Sequence, residues 1–252
     1  MSIHTQLEDL SNEIFFEIFD YLHMFDIFTG FSLLNRRISS ILQSIPLHIV
    51  ITNEYYRRHI DFLSSHLTFH EHQVISINIS DIIRDDSYII RLLFNRHNFP
   101  NLKSCKLLSI DSMTKLGDII KQIESFNRLV ILEIFQPDHQ DLNENNNDEL
   151  TQIILTHKSS FLRSVDLQYP YHYLDLSNYR CIPSNLTSLN IRIAGSPSNV
   201  SVHSVIRVFR LCHQIKYLCI VLYNEKRFKN DNTKYISNYL SSVIENDLPI
   251  LS

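Results

Sequence analysis

Six times along the chain an apolar residue is followed, three and five positions on, by two more. The triplets are Val74/Ile77/Ile79, Leu102/Cys105/Leu107, Leu129/Leu132/Ile134, Leu162/Val165/Leu167, Leu186/Leu189/Ile191 and Ile215/Leu218/Ile220. One triplet means little in a chain that is 44% hydrophobic, but the first anchors stand at 74, 102, 129, 162, 186 and 215, giving steps of 28, 27, 33, 24 and 29 residues. The last two members of each triplet alternate as the buried face of a short strand does. The residue before the first anchor is Gln73, Asn101, Arg128, Phe161, Asn185 or Gln214, polar in five of six cases. Between the anchors, residues 86–94, 113–123, 149–157, 202–212 and 235–244 carry apolar side chains at helical spacing; Val205, Val208, Phe209 and Cys212 are one such set. A strand followed by a helix, repeated, cannot cover its own apolar face and predicts an α/β stack in which each unit covers the next.

This pattern resembles the leucine-rich repeat, whose period is about 20–29 residues. The resemblance implies a curved solenoid over residues 46–252, with parallel strands on its concave face and helices on its convex face. The repeats depart from that family at the position three beyond the last strand anchor, where asparagine or cysteine is usual. Here those positions hold Ile82, Ile110, Pro137, Pro170, Ala194 and Tyr223, so the strand corners must be tied in another way. Residues 136–149 within the 33-residue step are polar and acidic and read as a loop insertion. A seventh unit is expected first, because Pro46 ends the preceding helix and Leu47, Ile49 and Ile51 alternate as a strand, with Asn53 then capping a helix through Leu67. At the other end, residues 247–251 read as a further strand just beginning, with no polar capping unit after it. The expectation is a solenoid truncated or uncapped at its C-terminus.

Residues 1–45 follow a different rule. Ser11 stands where it can cap a helix, with Glu8, Asp9 and Glu13 at the positive end of the helix dipole. Ile14, Ile18, Tyr21 and Leu22 recur at steps of three and four, with Phe15 and Phe19 widening the stripe. Ile27, Phe28, Phe31 and Leu34 follow in two further short helices. A three-helix unit of about 40 residues is too small to hide every one of these side chains, so some apolar surface is left for a partner.

The stretch from Leu10 to Leu22, followed by Leu34, Arg36 and Ile38, resembles the F-box, about a sixth of the chain. Three positions differ from the family pattern: Ser11 replaces proline, Asn35 replaces cysteine and Ile38 replaces an aromatic residue. The resemblance implies docking on a Skp-family adaptor, and through it a cullin complex of the ubiquitin conjugation pathway, by Leu10, Ser11, Ile14, Ile18, Leu22, Leu34 and Ile38. The chain would then be the substrate-recognition subunit of an SCF-type ligase. The other reading is a leucine-rich interaction scaffold without ubiquitin linkage, in which residues 7–45 merely cap the first repeat.

Charge and chemistry narrow the remaining possibilities. Residues 1–30 contain six carboxylates and neither lysine nor arginine, a net of −6 against −4 for the whole chain, so residues 31–252 sum to +2. No basic run exceeds two residues, which argues against nucleic-acid binding through phosphate neutralisation. With only Gly30, Gly117 and Gly195, phosphate-cradling glycine loops are excluded. Cys105, Cys181, Cys212 and Cys219 form no Cys-x-x-Cys pair, which predicts neither a zinc site nor a disulfide framework. His66, His70 and His72 come nearest to ligand spacing, yet only Glu71 joins them, so no metal is expected. The expectation is a non-enzymatic, cofactor-free interaction protein. Neither a signal peptide nor a membrane-spanning run is present in the sequence, which predicts a cytoplasmic or nuclear protein without membrane contact and leaves the sequons at Asn78, Asn185 and Asn199 unused.

In such a protein the side chains between the strand anchors meet the client. Asn78, Lys106, Ile131, Glu133, Asp166, Asn190 and Tyr217 are the client-binding candidates. Ile131 and Tyr217 would be the anchors among mostly small or polar neighbours.

Overall fold

The structure, a computed structural model, describes residues 7–52, 57–80, 93–108, 122–123, 126–135, 160–168, 185–194 and 202–223. The acidic insertion, the helices expected at 149–157 and 235–244, most of those expected at 86–94 and 113–123, the strand expected at 247–251 and the sequon at Asn199 lie outside the described residues. The chain is mixed α/β, with one compact unit that includes the helices before Ile45 and a second that spans Pro46–Tyr223.

In the first unit a 3-10 turn at Leu7–Asp9 leads into α1 (Asn12–Asp20), α2 (Met24–Phe31) and α3 (Arg36–Leu42). Its centre is aromatic. Phe15 and Phe19, one helical turn apart with ring centroids at 5.8 Å, both meet Phe31 nearly edge-on, at 6.4 and 5.1 Å. Edge-to-face packing of this kind adds about 0.5–1.5 kcal/mol to the burial of the rings. Met24, Ile27, Phe28, Ile38, Ile41 and Leu42 complete the core. The axis of burial on α1 therefore differs from the stripe read in the sequence. Phe15 and Phe19 are the centre, while Ile14 and Tyr21 are exposed and Ile18 and Leu22 half-buried.

The caps are also redistributed. Ser11 holds the extended N-cap conformation of α1, but its side chain makes no capping bond. A side-chain hydrogen bond from Ser11 instead leads the influences that hold the Glu13 carboxyl below its ordinary pKa. Asn35 does cap: its Oδ1 accepts from the Ile38 backbone N–H at 2.9 Å, which gives it a local structural role.

The second unit is built on a seven-stranded sheet whose strands pair in chain order and all in parallel. They are β1 (Leu47–Ile51), β2 (Val74–Ser80), β3 (Ser104–Leu108), β4 (Ile131–Phe135), β5 (Ser164–Gln168), β6 (Ser188–Ala194) and β7 (Tyr217–Tyr223). A parallel neighbour cannot be reached through a tight hairpin, so every connection must cross back to the starting edge. Helix α4 (Arg57–His70) lies in the first connection and α5 (Val202–Leu211) in the last.

The register brings the sequence triplets into line. One row runs Ile49, Ile77, Cys105, Leu132, Val165, Leu189 and Leu218, and the next runs Ile51, Ile79, Leu107, Ile134, Leu167, Ile191 and Ile220. From β1 to β6 both rows are buried; on β7 Leu218 and Ile220 are half-buried. The leading anchors Val74, Leu102, Leu129, Leu162 and Leu186 are buried as well. A further recurring position sits three residues before an anchor. Phe99, Phe126 and Cys212 are buried there, and the carbonyl of each accepts from the anchor N–H of Leu102, Leu129 or Ile215 at 3.1–3.2 Å. Phe94, Phe99 and Phe126 pack with centroids 5.9–6.3 Å apart, joining two successive units.

Ahead of the strands, polar side chains reach back one unit. Asn101 Nδ2 donates to the His72 carbonyl at 2.5 Å, Arg128 Nη1 to Asn101 Oδ1 at 2.7 Å, Gln122 to Asn95, and Thr187 Oγ1 to the Arg163 carbonyl at 3.1 Å. Their sequence separations of 24 to 29 residues equal the unit spacing. Asn101 and Arg128 are two of the polar residues noted immediately before the anchors.

Candidate functional site

Two surfaces and one buried cluster concentrate the side chains capable of function. The first surface belongs to the helical unit. At about 100° per residue, the outer half of α1 is occupied by Glu13, Glu17 and Asp20, bordered on one side by Ile14 and on the other by Phe16. All five are exposed, Ile14 and Phe16 at 42% and 41%. Leu7, Tyr21, Leu33 and Leu34 are exposed large apolar residues of the same unit, Leu33 at 97%.

Of the seven residues expected to meet an adaptor, Ser11, Ile14 and Leu34 are exposed, and Leu10, Ile18 and Leu22 are half-buried. Ile38 must be corrected. It is fully enclosed at 0% exposure because the first turn of α3, set by the Asn35 cap, points it into the core. Sequence reading missed Phe16 and Leu33 as surface residues. Phe16 carried a signal, since it lies two residues from both Ile14 and Ile18 and so falls about 160° around the helix from each.

Arg37 was also missed. Its Nε donates to Asn12 Oδ1 at 2.8 Å, its Nη1 to the Glu8 carbonyl at 2.9 Å and its Nη2 to the Leu10 carbonyl, while the guanidinium stands 5.7 Å from the Phe15 ring centre. One planar fork thus fastens α3 to the chain leading into α1. The charge is committed internally.

The second surface is the sheet face opposite the buried rows. Asn78, Lys106, Glu133, Asp166 and Asn190 follow one another across β2 to β6 in a single pairing row. Ile131 and Tyr217 stand in the neighbouring row with Ser76, Ser104, Ser164 and Ser188. All seven client-binding candidates therefore share one face. Lys106 Nζ is 3.1 Å from Glu133 Oε2 and 5.5 Å from the Phe135 ring centre, and Asn190 Nδ2 donates to Asp166 Oδ2 at 3.0 Å. The polar row is mostly consumed by its own contacts, whereas Ile131 and Tyr217 are exposed.

The buried cluster lies beside α4. Ser64 Oγ is 2.8 Å from His97 Nε2, and His97 Nδ1 is 3.9 Å from Glu71 Oε2, which also accepts the Asn98 backbone N–H at 3.0 Å. The residue types are those of a hydrolytic triad, but the imidazole–carboxylate distance is beyond hydrogen-bond range. Both Ser64 and His97 are buried, which leaves no approach for a substrate. Burial lowers the His97 pKa, with Glu71 opposing it. The arrangement reads as a satisfied core histidine. Cys105, fully buried, has its thiol pKa raised by desolvation and is protonated at neutral pH, the state of a packing residue.

Among the described residues no group of three or more histidine, cysteine, aspartate or glutamate side chains is arranged to hold a metal ion, and no helix is long and apolar enough to cross a membrane. No protein-family model matches the chain, and no curated protein matches its sequence.

Proposed function

We propose that the chain is a non-catalytic substrate-recognition subunit of an SCF-type, cullin-based ubiquitin ligase. The helical unit acts as an F-box docking on a Skp-family adaptor, and the sheet unit acts as a leucine-rich-repeat solenoid presenting its strand face to a client protein. The observation that carries this reading is the apolar surface left on the helical unit. Ile14, Phe16, Leu33 and Leu34 remain exposed after Phe15, Phe19 and Phe31 have formed the core, in a unit whose sequence already resembles the F-box. Sequential parallel strands at steps of 24 to 33 residues, in register at the triplet anchors, support the leucine-rich part. Such a subunit contributes no catalytic residue; it raises the effective concentration of client near a ligase whose chemistry is elsewhere, in cytosol or nucleus.

Burial of Ile38 favours the other reading, a leucine-rich interaction scaffold without ubiquitin linkage, because one adaptor candidate is spent on packing. A pull-down with a purified Skp-family adaptor separates the two. The full chain is expected to retain the adaptor, and Ile14→Asp with Ile18→Asp to lose it while keeping the wild-type circular dichroism spectrum. Absence of binding by the wild type, or undiminished binding by the folded double variant, refutes the adaptor reading.

A further inference from the structure

We infer that the outer face of α1 docks a basic, amphipathic peptide segment, one that sets lysine or arginine beside apolar side chains. This rests on reading the helical unit as a docking module and specifies the chemistry of what it takes. Glu13, Glu17 and Asp20 fall within about 60° of arc on α1, opposite the buried pair Phe15 and Phe19. The arc is framed by Ile14 and Phe16, each exposed to about two fifths. The face is therefore acidic at its centre and apolar along both margins.

Two features point to a cationic occupant. Glu13 and Glu17 are spaced i,i+4, and Glu17 and Asp20 i,i+3, so the free helix bears like-charge repulsion along this face. No lysine or arginine on α1 relieves it, because residues 1–30 contain none. Of the arginines that follow, Arg37 is held by Asn12, by the Glu8 and Leu10 carbonyls and by the Phe15 ring, and its charge is the smallest of the influences on the Glu13 carboxyl. A partner that brings cations to Glu13, Glu17 and Asp20 removes the repulsion and covers Ile14 and Phe16 in the same step. An acidic peptide or an anionic lipid surface would add to the repulsion. Charge complementarity of this type acts chiefly on association rate and partner choice.

The test uses the full chain as bait for a random peptide display library first depleted on the Ile14→Asp/Phe16→Asp variant, so that survivors need this face. Survivors are expected to hold about twice the lysine and arginine content of the starting library. Their affinity should fall about tenfold for Glu13→Gln/Glu17→Gln/Asp20→Asn, and should weaken as salt shortens the screening length below about 10 Å. All five side chains lie on the surface, so both variants should keep the wild-type circular dichroism spectrum. Survivors without a basic excess, survivors indifferent to the three amide substitutions, or no survivors at all overturn the inference. A chain that selects basic peptides yet retains no Skp-family adaptor refutes the adaptor reading alone.

Discussion

Adjacent residues on β4 offer a direct test of the sheet register. Leu132 is fully buried between Cys105 and Val165 in the core row, whereas Ile131 lies on the opposite face at 37% exposure. Truncating Leu132 to alanine removes its transfer free energy and leaves a cavity that neighbouring strands cannot close, together about 2–5 kcal/mol. Truncating Ile131 loses only the covered part of a similar side chain on an open face. At about 0.8 kcal/mol per buried methylene that is about 1–1.5 kcal/mol. With a urea slope of about 2 kcal/mol/M, the midpoint should fall by about 1–2.5 M for Leu132→Ala and by about 0.5–0.8 M for Ile131→Ala. Urea titrations followed by far-UV circular dichroism measure both. A one-residue slip would exchange the two faces. Equal shifts, or a larger shift for Ile131→Ala, would therefore refute the register and with it the shared face of the client-binding candidates.

Three further outcomes are expected. Arg37→Ala should destabilise the helical unit by about 1–2 kcal/mol, through lost charged hydrogen bonds at an exposed site and lost packing on Phe15, and Arg37→Lys should not restore it because a single ammonium cannot serve three acceptors; thermal melts of the helical signal report both. Phe15→Ala should cost about 3–5 kcal/mol of folding stability while Ile14→Ala costs under about 1 kcal/mol, so matched melts separate the packing residue from the surface one. The folded-state pKa of His97 lies below its unfolded value of about 6.5, so its contribution is present above that pH and is lost as pH falls through it towards the depressed folded value. Urea midpoints taken downward from pH 7.5 should fall less steeply in His97→Gln than in the wild type.

Particular residues show how far the sequence could be read. The triplets were legible because side chains alternate along a strand, and repetition at near-constant steps marked which alternations were real. The tying residues were half legible: Asn101 and Arg128 stood out as polar positions before the anchors, but their partners His72 and Asn101 lie a unit earlier, and no local pattern names them. On α1, the sets Ile14/Ile18 and Phe15/Phe19 have identical spacing, so periodicity could not choose between them. Phe31 chose, by accepting both rings edge-on. Ile38 was read as a contact because it occupies a motif position, yet the cap at Asn35 turned it inward.

From its sequence alone the chain was bound to be α/β with strands recurring every 24 to 33 residues, since hydrophobic alternation and its period are local properties written along one dimension. Which helix face is buried, which polar residues clamp successive units and which apolar residues stay open to a partner were settled only in three dimensions. Those outcomes depend on contacts between residues separated by 12 or more positions, such as Phe19 with Phe31 and Arg37 with Leu10.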